Sequence, residues 1–346
     1  MTQNPSVALT ESVTDPAPDG ASSGADRFLD LIADELVATE ELLTELCESD
    51  VPFVRDAGEY IFSGGGKRVR PALLLLCSKL LERNDRAQVT YAAVVEVIHN
   101  ATLIHDDIID HASVRRGRST VAGLWGNSRT VLLGDWLYTK SMQMALTENN
   151  LEVVRRLCDA TVWMTEGELL ALERLGAIDL TIDEYLDIID RKTSRLFAAA
   201  CSIPALIPPA VEDGDRALYA YGRDLGICFQ LVDDLLDFTA SQDDLGKPVL
   251  SDLTGGKLTL PLILALPRLA ADKRRWIEWA LEDRAFERVS AEQILELVKR
   301  EGTLEEVRQM AERYATQAVE ALAVFPHSPA REALDVAPDF VLNRSS

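Results

Sequence analysis

Ala101-Thr102-Leu103-Ile104-His105-Asp106-Asp107-Ile108-Ile109-Asp110 and Phe229-Gln230-Leu231-Val232-Asp233-Asp234-Leu235-Leu236-Asp237 carry the same pattern, Asp-Asp-x-x-Asp, each inside strongly apolar sequence. Residues four apart share a helix face, so Asp106 and Asp110 aim together, as do Asp233 and Asp237. Carboxylates grouped on an apolar helix repel one another and are costly to bury unless a cation neutralises them. Oxygen-only clusters suit Mg²⁺, which takes a few carboxylates and completes its octahedron with water and substrate phosphate. A single copy reads as a solvated acidic turn of helix. Two copies in apolar surroundings read as a paired site, with Asp106, Asp107, Asp110, Asp233, Asp234 and Asp237 as the metal candidates.

Outward from these motifs the chain is helical throughout. Phe28, Leu29, Ile32, Leu36, Leu42, Leu43 and Leu46 recur at three- and four-residue steps, the mark of an amphipathic helix. Further helices are expected at about 52–62, 70–83, 88–111, 127–148, 151–175, 182–207, 213–240, 257–271, 273–284, 290–300, 303–323 and 330–341. The breaks carry Gly, Pro, Asn or Asp, as at Gly64-Gly65-Gly66, Pro208-Pro209 and Gly255-Gly256. No alternating pattern is long enough to build a sheet, so the expected fold is an all-α single-domain helical bundle. Residues 1–25 are rich in Ser, Thr, Pro, Gly and Ala without helical periodicity and read as a disordered tail, leaving 26–346 as the domain.

The bulk numbers narrow the function. At 346 residues and 47% hydrophobic, the chain can bury a sizeable core, and only 6% aromatic content favours helices over strands. The net charge is -22, from 57 acidic against 35 basic residues, a field that repels nucleic acid and anionic headgroups. The five cysteines include no CxxC pair, which argues against a disulfide framework or thiolate zinc site and for a reducing, cytoplasmic setting. No apolar run nears the roughly 18 residues that span a bilayer, and no basic leader opens the chain, so no membrane anchor is expected.

A metal-held diphosphate needs positive partners, and short basic motifs supply them. Ser63-Gly64-Gly65-Gly66-Lys67-Arg68-Val69-Arg70-Pro71 is a glycine-rich loop entering a helix, where free N–H groups and the positive helix end favour an anion. It is no Walker A loop, because Arg68 stands where Ser or Thr would ligate Mg²⁺. Arg115-Arg116 follows the first acidic motif, and its forked guanidiniums could grip phosphate oxygens. Lys192-Thr193, Gly246-Lys247 and Gly256-Lys257 complete the set.

The order GGKRxRP, HxxxxxHDDxxD, RR, KT, FQxxDDxxD, GK and GGKxTLP resembles the trans-isoprenyl diphosphate synthases, or polyprenyl synthetases, over roughly residues 30–342. The resemblance implies a helical bundle of the isoprenoid synthase type with a central apolar cavity, and a Mg²⁺-dependent prenyltransferase that condenses isopentenyl diphosphate with an allylic prenyl diphosphate, as a homodimer. It implies that Lys67, Arg70, His99 and Arg116 hold isopentenyl diphosphate and that Arg115 holds the allylic diphosphate. Asp106 and Asp110 on one side and Asp233 on the other would bridge that diphosphate through the metal, with Asp107, Asp234 and Asp237 as supporting ligands or groups behind them. Lys192, Thr193, Gln230, Lys247 and Lys257 would contact the leaving diphosphate and the reacting end. Asp106, Asp110, Asp233, Lys192 and Lys257 thus form the expected catalytic set.

Some positions depart from the family pattern. Leu169 follows Gly167-Glu168 where Gln is frequent, Ser194 follows the Lys-Thr pair, and Ser202-Ile203-Pro204 replaces a small-residue step. These bear on product length and substrate more than on the reaction. Ala101 and Thr102, one turn before Asp106, are small where short-product relatives often place an aromatic residue. They imply a product longer than geranylgeranyl diphosphate, with Met142 and Met144 as candidates for a deeper tunnel floor. A farnesyl or geranylgeranyl diphosphate synthase is the alternative. A terpene cyclase has no need of the isopentenyl site, and a non-catalytic synthase subunit would be expected to lose an acidic motif.

Overall fold

The computed structural model describes residues 29–64, 66–83, 85–115, 117–209, 212–239 and 249–344. The expected tail at 1–25, Arg116 and Lys247 lie outside them. A 3₁₀ turn at Asp30–Ile32 leads into α1 (Ala33–Leu46), and α2 (Pro52–Phe62) starts on a proline, which fits the first helical position because its missing N–H would be unpaired there anyway. Next come α3 (Val69–Leu80) and the 24-residue α4 (Arg86–Ile109), whose N-cap Asp85 accepts from the Ala87 amide. The chain continues through α5 (Val121–Trp125), α6 (Asn127–Thr147), α7 (Leu151–Glu173), α8 (Ile182–Ile189), α9 (Arg195–Leu206) and α10 (Glu212–Thr239). It closes with α11 (Ser251–Thr254), α12 (Leu260–Ala265), α13 (Ala271–Asp283), α14 (Ala291–Glu301), α15 (Thr303–Ala321) and α16 (Pro329–Leu342).

The all-α expectation is met. Among the described residues the only ladder is two residues a side, Val114–Arg115 against Arg118–Ser119, closed by Gly117 at φ +72°. Three local readings change. The expected helix at 182–207 is interrupted by a π-helical turn at Asp190–Ser194. The stretch at 257–271 becomes α12 and a 3₁₀ turn, because Pro267 cannot continue the hydrogen-bond ladder. Two short helices, α5 and α11, occupy stretches expected to be breaks.

Helix α10 lies against α9 and α15, and α4 against α3 and α6. Their apolar character follows from this placement. Residues Leu196 to Ala205 of α9 are all buried, as are Ala72 to Leu76 of α3. Such helices are covered on every side and read as apolar all round rather than as stripes. Both acidic motifs therefore sit at the ends of helices embedded in the core, α4 and α10.

The approach of α10 to α9 depends on glycine. A Cβ on Gly226 would lie 2.6 Å from the Ser194 Cα, inside the turn that carries Lys192 and Thr193. Gly226→Ala must push that turn away, at about 1–3 kcal/mol for an overpacked core position. Thermal unfolding checks this: the variant is expected to melt below the wild type.

Candidate active site

The first acidic motif ends α4. Asp106 is half-buried, Asp107 is buried, and Asp110 stands exposed at the helix C-cap. Each carboxylate faces a cation. The Lys192 Nζ lies 3.9 Å from Asp106 Oδ2 and also pairs with Glu168 on α7. The Arg115 Nε donates to Asp107 Oδ1 at 2.7 Å, and the Lys257 Nζ donates to both Asp110 oxygens at 3.0 Å.

These contacts set the protonation balance. Burial pushes the Asp106 carboxyl up, with Lys192 opposing and Glu168 reinforcing. Asp107 is raised by burial against the pull of Arg115. Burial alone would lower Lys192, but Asp106 and Glu168 outweigh it and hold the ammonium charged.

The second motif lies in the last turns of α10, and its three carboxylates point to different places. Asp233 is exposed and pairs with Arg344, just beyond α16, whose guanidinium also lies 4.1 Å over the Phe229 ring. Asp234 is 3% exposed. It accepts from the Tyr185 hydroxyl at 2.6 Å and from Gln230 Nε2 at 2.8 Å. Asp237 is 1% exposed and accepts from the Ser251 amide at 3.1 Å, the Ser251 hydroxyl at 2.8 Å and the Asp252 amide at 3.1 Å. It holds the N-terminus of α11 where the exposed amides need an acceptor. The expectation that Asp233 and Asp237 share a working face therefore changes, because α11 draws Asp237 inward.

The two motifs are linked through the π turn and through the segment after α11. Neighbouring residues on the π turn reach both: Lys192 to Asp106, and Thr193 to Gln230 Oε1 at 2.8 Å. Gly167 on α7 permits this, since a Cβ there would lie 2.6 Å from the Lys192 amide nitrogen. A second path runs from Asp110 through Lys257, whose amide donates to the Asp252 carbonyl at 2.8 Å, to Asp237.

On the basic loop, Arg68 adopts φ +43° and is clamped by Glu40 and Glu96, the latter at 2.9 Å. Arg70 lies 4.4 Å over the Phe197 ring, Lys67 is exposed, and His99 is half-buried on α4. Ala101 is buried in the cluster that includes Leu133 and Leu137 of α6, and the Thr102 hydroxyl donates to the His99 carbonyl at 2.8 Å. Met142 and Met144 are partly buried against the core.

Several participants carried no sequence signal. Tyr185 looks like an ordinary core residue of α8, Arg344 sits near the chain end outside any motif, and Glu168 declares itself only once Lys192 is placed beside it. Among the described residues no three His, Cys, Asp or Glu side chains gather closely enough to hold a metal by themselves. The donor set is nevertheless all carboxylate, split between two helix ends. It fits a hard cation that takes its remaining oxygens from a diphosphate and water.

Two acidic helix ends facing lysines and arginines inside an all-α bundle define a diphosphate-handling prenyltransferase. The family model described as polyprenyl synthetase matches residues 51–298. The octaprenyl diphosphate synthase of Escherichia coli (strain K12) is 38% identical over 309 residues, 89% of this chain and 95% of its own. The polyprenyl synthase of Caulobacter crescentus, solved with calcium and isoprenyl diphosphate, superposes with a TM-score of 0.88 at 34% identity, covering 96% of this chain and 100% of that one. The decaprenyl diphosphate synthase of Rhodobacter capsulatus also gives 0.88, at 36% identity, over 93% of this chain and 99% of its own. The chain belongs to the polyprenyl synthetase family, whose members depend on a divalent metal and act on isoprenoid diphosphates.

Asp234 has a consequence for stability. Burial, reinforced by the charge of Asp252 and opposed by the bonds from Tyr185 and Gln230, pushes it up to about 8. A carboxyl raised this way binds its proton more tightly folded than unfolded. Its contribution to stability is full at acid pH and is lost as the pH climbs towards that value. In metal-free protein the melting temperature should fall more steeply between about pH 5 and about pH 8 in the wild type than in Asp234→Asn. Parallel slopes would contradict the assignment.

Proposed function

We propose that the chain is an all-trans polyprenyl diphosphate synthase, adding isopentenyl diphosphate to an allylic prenyl diphosphate and making a product longer than geranylgeranyl diphosphate. The observation that supports this is the approach of both acidic helix ends to one π turn, with Lys192 at Asp106 and Thr193 at Gln230, while Lys257 holds Asp110. The long-chain names of the E. coli and R. capsulatus relatives, and the small Ala101 and Thr102 before the first motif, support the product length.

Asp106, Asp110 and Asp233 would hold Mg²⁺, with Asp107, Asp234 and Asp237 behind them as supports. Bound there, Mg²⁺ supplies Lewis-acid stabilisation of the departing diphosphate. In the structure Lys257 and Lys192 lean on Asp110 and Asp106, and Arg344 on Asp233. These cations offset the repulsion among the carboxylates. With a diphosphate bound, Lys192, Lys257 and Arg115 would turn to its oxygens, and Lys247 is proposed as a further contact. Fixed positive charge of this kind favours the state in which the allylic C–O bond has broken and the leaving group is fully anionic.

Lys67, Arg70, His99 and Arg116 would hold isopentenyl diphosphate so that its double bond faces the allylic carbon. The oxygens of Thr193 and Gln230, joined by a hydrogen bond, would steady the positive charge there. No side chain in this set is an evident general base, and the departed diphosphate would accept the proton lost after condensation. Leu124 on α5 and Val131 and Leu132 on α6 are exposed apolar side chains, which is in keeping with a homodimer. Among the described residues no helix is long and apolar enough to cross a membrane. This is in keeping with a cytoplasmic enzyme.

Purified protein incubated with farnesyl diphosphate, labelled isopentenyl diphosphate and Mg²⁺ should give prenyl diphosphates beyond geranylgeranyl diphosphate, and excess EDTA should abolish them. Full turnover in EDTA would sink the metal reading. Asp106→Ala and Asp233→Ala should lower kcat by orders of magnitude. Ala101→Phe should shorten the product while sparing the first condensation, and an unchanged product distribution would contradict the tunnel. Lys67→Ala and Arg70→Ala should raise the KM for isopentenyl diphosphate by roughly ten- to a hundredfold, as expected for charge-assisted phosphate contacts. Arg115→Ala should act mainly on the allylic substrate, and equal effects on both substrates would contradict the division of roles.

A further inference from the structure

The second acidic motif contains a carboxylate that is poorly placed to meet a metal. Asp234 is 3% exposed, and each of its oxygens already has a donor. The Tyr185 hydroxyl occupies Oδ2 at 2.6 Å, and Gln230 Nε2 occupies Oδ1 at 2.8 Å. On its other side the Gln230 Oε1 accepts from the Thr193 hydroxyl at 2.8 Å. The four residues come from α8, the π turn and α10, so three elements are tied into one line.

The orientation of the Gln230 amide follows from this line. A side-chain amide is polar, with a donating NH₂ end and an accepting oxygen end. Tyr185 fixes Asp234 through Oδ2, which leaves Oδ1 as an acceptor toward Gln230. With Asp234 ionised, the form that a divalent cation at the adjacent Asp233 would favour, only the NH₂ end can meet it, since the amide oxygen would face another oxygen. The oxygen end is thereby turned to Thr193, whose proton is spent on it. The polar atoms at that end of the line are then the negative ends of two dipoles. A flipped amide would instead place N–H donors there.

We propose that Tyr185 and Asp234 are positioning residues that lock the Gln230 amide with its oxygen toward Thr193, so that both oxygens are held in place for positive charge developing on the allylic substrate. This rests on the proposed prenyl transfer. It assigns Asp234 to dipole orientation rather than to metal binding, and it gives the buried Tyr185 a task. Fixed dipoles of this kind stabilise charge in the reacting state without rearrangement at the moment of reaction.

The test reverses donor and acceptor. Gln230→Glu places two carboxyl groups in contact and should lower kcat roughly ten- to a hundredfold, the range for a broken charged contact. Adding Asp234→Asn to that variant supplies an NH₂ for the new carboxylate and an oxygen for Tyr185, and should recover most of the loss. Tyr185→Phe should lower kcat while leaving both KM values and the Mg²⁺ concentration for half-maximal rate unchanged. If Asp234→Asn deepens the loss of Gln230→Glu, or raises the Mg²⁺ requirement as loss of a ligand would, the proposal is overturned. Melting of the metal-free variants gives a readout independent of turnover. Gln230→Glu should destabilise and the double variant recover, while a double variant less stable than Gln230→Glu refutes the pairing. A wild type that forms no prenyl product would refute the proposed function, and the melting series would still decide the pairing.

Discussion

Mutual repulsion among carboxylates is the constraint around which this fold is arranged. Two helices of the core, α4 and α10, end in acidic clusters, and neither could point its charges into a shared cleft without cations between them. Lys257 supplies one contact, with its Nζ 3.0 Å from both oxygens of Asp110. Lys192 supplies a second, shared between Asp106 and Glu168, and Arg344 covers Asp233 from the end of the last long helix. The cleft is a place where cations and carboxylates are balanced, so a ligand that brings anionic oxygens and hard cations exchanges partners rather than creating new charge.

The rest of the architecture holds these groups in register. Gly167 and Gly226 let α7 and α10 close on the π turn, where the side chains of Lys192 and Thr193 diverge to the two motifs. Such turns insert an extra residue into a helix and shift the register of the side chains that follow. Asp237 anchors α11, and the turn after α11 delivers Lys257 to Asp110. Within one Asp-Asp-x-x-Asp sequence, Asp233 is exposed and pairs with Arg344, Asp234 orients an amide and Asp237 caps a helix. Their spacing is alike, but their burial is not.

Much of this was legible in the sequence because it is local. Periodicity of 3.6 residues and Gly or Pro breaks fix helices such as α2 and α10 within a residue or two, since both signals act over one or two turns. The motifs and their order were legible because their chemistry is uncommon in apolar surroundings. What stayed hidden depends on contacts between residues far apart in the chain. The π turn arises where α7, α9 and α10 crowd together, and no single segment of 182–207 announces it. Tyr185 meets Asp234 across 49 positions, and Arg344 meets Asp233 across 111. Neither partner has a local pattern that marks it. The i, i+4 rule placed Asp233 and Asp237 on one face, but the short helix at Ser251–Thr254 decided which of them stays there.

The central claim is that the acidic motifs accept a diphosphate only together with divalent cations, displacing the lysine and arginine partners they hold without one. Calorimetric titration of the purified protein with inorganic diphosphate, with Mg²⁺ present and with Mg²⁺ chelated, tests it directly. The account predicts binding at least about tenfold tighter with the metal, a difference of about 1.4 kcal/mol, and loss of that gain in Asp106→Ala. Equal affinity with and without Mg²⁺ would contradict it.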